Sequence, residues 1–344
     1  MSPTRICLVP HLSGVGGMVT FQVKLAVGLA ARGIEVCYDL GDMPYRAVLV
    51  IGGTHDLAGL WRVHRRGIPV VQRLDGMNWV HRRRRTGLRH FLRAEYGNFI
   101  LATIRSRLAD RIVYQSEFSR QWWHREGGPT KIYNQVVYNG VDLGTYTPYG
   151  AGQPPTDRYR LLLVEGNLGG GYEMGLETAV QLAECLRIAH SRDIEIVVVG
   201  RVTPSIRSRW DHQTGCSPGI IISFSGVVPI ERIPEIDRSA HLLYSADLHP
   251  ACPNSVVEAL ACGLPVVGFD TGALPELVTG DSGRIAPYGS NPWLLEPPDI
   301  PALAEVTAEI FVDQDRFRTA ARARAEEAFR LEKMVEGYLQ VLLG

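Results

Sequence analysis

No apolar run in these 344 residues approaches the ~20 needed to cross a bilayer as a helix. The opening MSPTRICLVPHLSG is also too short in its apolar stretch for a secretory signal. Net charge is absent as well: 36 basic and 36 acidic side chains cancel, so no global field draws the chain to nucleic acid. An anionic partner must be met by a local patch. Cysteine is sparse, and Cys7, Cys37, Cys185, Cys216, Cys252 and Cys262 fall at no metal-ligand spacing. Cys7, Cys37 and Cys262 sit in apolar runs and read as reduced thiols of a cytoplasmic protein. What is present is ordinary for a globular chain, 45% hydrophobic and 21% charged, with a length that suits two domains of about 150 residues each.

Short apolar runs alternate with helical spacing along the chain. Strands are expected at 5–10, 34–39, 47–51, 69–73 and 111–115, then at 160–165, 194–199, 220–224 and 264–269. Phe21, Leu25 and Leu29 recur at helical spacing until Arg32-Gly33, and helices are expected near 230–238, 300–312, 315–329 and 331–343. The alternation predicts an α/β protein with doubly wound parallel sheets covered on both faces. AGQPPTD at 151–157 has linker composition, which puts an expected boundary between domains 1–152 and 153–328. Asp313-Gln314-Asp315 is formally a DxD, but its place between helices makes it a turn and cap.

The densest stretch is ACPNSVVEALACGLPVVGFDTGALPEL, residues 251–277. Pro253 fixes φ, and Asn254 and Ser255 are capping types, so a helix should begin near Ser255 or Val256 and end where Gly263 turns left-handed. A helix N-terminus offers unpaired N–H groups and partial positive charge, a seat for a phosphate or a sugar hydroxyl. Glu258, one turn on, can accept two hydrogen bonds from a vicinal diol such as a ribose. Two glycine loops add to this. Gly14, Gly16 and Gly17 follow the first strand, although Val19 stands where a dinucleotide fingerprint needs a third glycine. GNLGGGYEMG, residues 166–175, enters a long helix, and Gly169, Gly170 and Gly171 suit a backbone nest for an anion. Asp75 follows a strand directly, as either a ligand-facing residue or a capping Asp, and Arg201 projects from a strand end as a ligand cation or a surface ion pair.

PNSVVEALACGLPVV followed by GALPELV, with Asn139-Gly140-Val141-Asp142 leading to Tyr146 and Pro148, resembles the retaining family-4 glycosyltransferases of the GT-B fold. The resemblance implies two Rossmann-like doubly wound parallel-sheet domains facing a cleft, with a C-terminal helix, 329–344, crossing back to the N-terminal domain. It implies a nucleotide-diphosphate sugar donor held mainly by the C-terminal domain, an acceptor held by the N-terminal one, retention of configuration, and no metal or other cofactor. Glu258 would hold the ribose, and Asn254, Ser255 and Val256 the donor sugar and diphosphate. Gly16 and Gly17 would lie beside diphosphate and acceptor, Gly166, Asn167 and Gly169 to Gly171 against the diphosphate, and Val227 against the base.

Three positions depart from the family pattern. Pro250 replaces the first of two glutamates eight residues apart, and Asn167 and Met174 stand where an Arg and a Lys meet the departing diphosphate. Charge builds on that leaving group, so other donors must serve; Gly169 to Gly171 and Arg201 are the candidates. A non-catalytic nucleotide-sugar-binding relative is the alternative reading, and an epimerase of the same architecture a second. The one strong charge cluster, His81 followed by Arg82, Arg83, Arg84 and Arg85, with Arg89, His90 and Arg93, is either a solvated face or a patch for anionic lipid at the inner membrane face or a phosphorylated acceptor. It lacks interleaved aromatics for nucleic acid.

Overall fold

The computed structural model describes residues 4–14, 16–168, 173–214 and 218–344, without the side chains of 167 and 211–214. Gly169, Gly170 and Gly171 therefore lie outside the described residues, as does the proposed nest. The chain divides into two units, residues 1–140 with 329–344, and residues 141–328.

The first unit holds β1 (Arg5–Val9), α1 (Gly17–Ala30), β2 (Glu35–Cys37), β3 (Ala47–Ile51), α2 (Leu57–Arg65), β4 (Val70–Leu74), α3 (Leu88–Arg107), β5 (Arg111–Tyr114), α4 (Glu117–Gly127) and β6 (Tyr133–Val136). Its strands pair in the order β2-β1-β3-β4-β5-β6, and each pairing is parallel. Every residue of β3 and β4 is buried, as strands covered on both faces require. Cys7 and Cys37 are register neighbours, and both are free thiols.

The second unit holds β7 (Tyr159–Asn167), α5 (Met174–His190), β8 (Ile194–Arg201), α6 (Pro204–Thr214), β9 (Ile220–Gly226), α7 (Ile233–Arg238), β10 (Leu242–Tyr244), α8 (Asn254–Ala261), β11 (Val266–Phe269), α9 (Leu274–Leu277), β12 (Gly283–Ala286), α10 (Ile300–Val312) and α11 (Gln314–Ala328). The strand order is β12-β11-β10-β7-β8-β9, again all parallel. Asp313 caps α11, its carboxylate accepting from the Arg316 N–H at 3.3 Å, so the DxD is spent on a helix end.

The division falls earlier than the linker composition suggests. Residues 141–152 belong to the second unit because two buried or half-buried arginines collect their carbonyls. Arg238 donates to the carbonyl oxygens of Ala151 at 2.7 Å and Thr147 at 2.9 Å, and Arg322 to that of Tyr146 at 2.8 Å.

The last helix, α12 (Leu331–Leu343), returns to the first unit. Met334, Val335, Tyr338, Val341 and Leu342 recur every three or four residues and join the cluster of Ile6, Leu8, Phe21, Leu25 and Leu29. Gly28 makes this possible: a Cβ there would collide with the Val335 side chain.

Strand order reverses between β1 and β3 in the first sheet and between β7 and β10 in the second. Open α/β sheets bind ligands outside the carboxyl ends of strands at such a reversal.

Candidate functional site

At the reversal in the second unit, β7 ends in Glu165, Gly166 and Asn167. A bulge between Val164 and Asn167 shifts the register so that Asn167 lies opposite Arg201, the last residue of β8. The Leu168 N–H donates to the Arg201 carbonyl at 2.9 Å, which holds the two strand ends together. Arg201 is exposed and has no ion pair among the described residues, so the surface-salt-bridge reading of this side chain is not seen. Gly166 is exposed with open space beside it, and Val227, just past β9, is exposed as well.

Asp247 follows β10, next to β7 across the reversal. Its carboxylate accepts from the His249 N–H at 3.3 Å. Burial, and then the charge of Asp247, push the Glu165 carboxyl up to about 8. Asp247 is itself raised, by desolvation, with the Leu248 and His249 N–H groups working against it. The two carboxyls titrate as a pair, with Glu165 held above the ordinary carboxylate range. Neither carboxyl was singled out as a site residue in the sequence: Glu165 ends an apolar run, and its partner lies far along the chain.

Helix α8 starts one residue earlier than expected. Pro253 is its N-cap, with φ −68° and ψ 130° and no side-chain cap, so Asn254 and Ser255 are first-turn residues rather than caps. Proline's fixed φ does the work assigned to the capping side chains. Gly263 has a φ of 69° just past the helix, as its end required. The Val256 side chain is fully buried, which leaves only its backbone for a ligand.

Glu258 is buried too, at 6% exposure. Burial first, and then the Glu258 charge, push Asp237 well above the usual carboxylate range, and the same two causes lead for the Tyr146 hydroxyl. Glu258 thus belongs to a buried polar group with Tyr146 and Asp237.

Pro250, where the resemblance implies a glutamate, is buried. It accepts the Ala273 N–H at 2.8 Å, and Gly272 lies so close that a Cβ would run into the proline ring. Beside it, His249 stacks on Trp293 with centroids 3.6 Å apart.

In the first unit, Gly16 is the N-cap of α1 and Gly17 its first residue. The buried Gln22 laces the loop to the helix, accepting from the Leu12 N–H at 2.9 Å and donating to the Pro10 carbonyl at 2.8 Å. Asp75 follows β4 and is partly buried; its carbonyl accepts from Ser119 at 2.8 Å and the Trp123 indole at 2.7 Å. Burial raises its carboxyl, and nearby Arg73 works against that. Arg73 is fully buried, bonded to Asn139 at 3.0 Å and stacked over Phe21 at 3.8 Å. Asp75 and Asn139 are thus organised around one buried arginine within this unit.

The basic run is not one patch. Arg82 is held by Glu95 at 2.6 and 2.9 Å, with His81 on the same carboxylate at 2.7 Å. These partners, Arg82 first, bring Glu95 down to about 2. No described helix is long and apolar enough to cross a membrane.

Residues 160–313 match the family described as "Glycosyl transferases group 1". Among solved structures, a sucrose-phosphate synthase from Thermosynechococcus elongatus overlays with a TM-score of 0.72 at 15% identity, covering 98% of each chain. HepE from Anabaena, in complex with UDP-glucose, gives 0.69 at 17% identity, covering 98% of this chain and 99% of that one. The fold is that of the GT-B glycosyltransferases. A curated relative, the GDP-mannose-dependent alpha-(1-6)-phosphatidylinositol dimannoside mannosyltransferase of Mycobacterium tuberculosis, is 26% identical over 244 residues, 68% of this chain and 57% of its own length. The match therefore spans little more than half of that relative.

Proposed function

We propose that this protein transfers a sugar from a nucleotide-diphosphate donor to an acceptor with retention of configuration, the second unit holding the donor. The observation that carries the reading is the register of Asn167 with Arg201. A guanidinium stands on the strand beside the position that lost its diphosphate-binding arginine, exposed and without a competing carboxylate among the described residues. Cleaving the donor builds charge on the diphosphate, and a preorganised cation meets that charge in the transition state. The first-turn N–H groups of α8 and the backbone of Gly166 add donors at the same sheet end. Glu165, kept neutral by burial and Asp247, adds no repelling charge and can donate a hydrogen bond. In this reading Glu258 takes the ribose, Val227 lies against the base, and no metal or other cofactor is needed. GDP-mannose and UDP-glucose, which the names of two similar proteins carry, are the first donors to try; the acceptor in this reading is a glycan or a lipid-linked or envelope-associated molecule met at the cytoplasmic side of a membrane.

Pro250 favours a second reading, a protein that binds nucleotide sugar without turnover, because a hydrocarbon ring fills the place of the sugar-contacting carboxylate. Release of nucleoside diphosphate from a donor panel separates the two. We expect release above that of Arg201→Ala, which should lose ~100-fold or more in rate. Tight donor binding with no release above that control would select the binding protein.

A further inference from the structure

Residues 141–152 bring a tyrosine to the side of Glu258. Asp142 closes a turn ahead of it, its carboxylate accepting from the Gly144 N–H at 3.0 Å and the Thr145 hydroxyl at 2.6 Å, and its carbonyl from the Tyr146 N–H at 2.9 Å. One guanidinium fastens that turn to the end of α8. A single nitrogen of Arg322 donates to the carbonyls of both Tyr146, at 2.8 Å, and Ala261, at 2.7 Å. Two residues on, Pro148 lies against Gly263, where an added Cβ would come within 3.2 Å of the proline. The backbone of Tyr146 is thereby fixed against the last turn of α8, and Ala261 stands on the same helix one turn beyond Glu258.

The Tyr146 side chain is buried, at 4% exposure. A phenylalanine would fill that space as well, whereas a hydroxyl taken out of water must find a partner. It meets the Glu258 carboxylate, which acts on it both as a charge and as a hydrogen-bond acceptor. The neighbouring Cys262 thiol and Asp237 carboxyl are engaged with each other. A glutamate has three torsions to fix before it can present both oxygens to a diol. A partner that holds the carboxylate in the free protein removes that ordering cost from binding.

We propose that Tyr146 is a positioning residue for Glu258, its hydroxyl holding the carboxylate in the orientation that receives the ribose diol of the donor nucleotide. The inference rests on the reading of Glu258 as the residue that takes the ribose.

The test is calorimetry with UDP, GDP and ADP, each against its 2′,3′-dideoxy form, which isolates the share of affinity that the diol supplies. The parent should prefer the ribose form of the nucleotide it binds by on the order of 10- to 100-fold. Tyr146→Phe should keep its affinity for the dideoxy form and lose roughly 5- to 10-fold for the ribose form. Glu258→Ala should lose the preference, and adding Tyr146→Phe to it should change ribose-form affinity by less than about twofold, because the hydroxyl then has no carboxylate to place. Should Glu258→Ala fail to fold, Glu258→Gln takes its place in the cycle. Equal loss for both nucleotide forms in Tyr146→Phe would make the hydroxyl a structural group only and overturn the proposal, as would no loss for either. A parent that binds none of the three nucleotides, or binds both forms alike, would instead overturn the ribose reading itself, and the proposal with it.

Discussion

Glu165 ties the candidate site to pH. Its folded-state value, pushed up to about 8, lies above the ordinary carboxyl range, so the folded protein holds a proton that the unfolded chain releases. The associated stability is complete below the unfolded value and is lost as pH rises through about 8. We expect Glu165→Gln to melt higher than the parent above pH 8 and to show a flatter pH profile in thermal scans. Nucleoside-diphosphate affinity of the parent should fall over the same window, as the new negative charge repels the ligand, and the Gln variant should not follow. Glu258 gives a second test at this scale. Glu258→Ala should weaken nucleoside-diphosphate binding by about 1.5 to 3 kcal/mol in calorimetry if the carboxylate holds the ribose. Unchanged affinity with a lowered melting temperature would leave it a buried partner of Tyr146 and Asp237 only. Arg201 was legible in the sequence because a charged residue closing an apolar strand stands out. Its placement opposite Asn167 was not, since it depends on a bulge that no residue type announces.

The elements legible in the sequence were those with continuous apolar runs or helical spacing, such as β3, β8 and the three closing helices. Those that escaped have physical reasons. β6 reads Tyr-Asn-Gln-Val and lies at a sheet edge, half covered, so no apolar run marks it. β10 and β12 are only 3 and 4 residues long, too short for a period to show. The start of α8 was misplaced because Asn254 and Ser255 have capping side chains, while the backbone angle of Pro253 sets the helix entry. The turn after β11 yields a prediction of its own. Gly272 has a φ of 61° and lies against the Pro250 ring, so Gly272→Ala meets backbone strain and a steric clash together. Urea denaturation should show a loss of about 1 to 3 kcal/mol, the range for a strained backbone position. A change within a few tenths would mean that the Pro250 turn yields easily.

At the scale of the whole molecule, α12 is part of the first unit's core rather than an appendage. Removing it would expose Phe21, Leu25 and Leu29 along with the sheet face beneath them. A protein ended after Ala328 should therefore lose the cooperative melting of the first unit while the second keeps its own, and calorimetry would resolve the surviving transition. Two intact transitions in that protein would show that α12 adds little. Gly28→Leu should reproduce part of the defect, because it blocks the seat of Val335. The same closure imposes an order in time. The second unit is one continuous segment, residues 141–328, whereas the first is split around it. At about 10 residues per second of synthesis, those intervening residues occupy the ribosome for on the order of 20 s. Throughout that interval the earlier-made sheet waits with one flank bare. The part of the chain made second is thus the part positioned to finish folding first, and the nascent N-terminal sheet is the species most in need of chaperone cover.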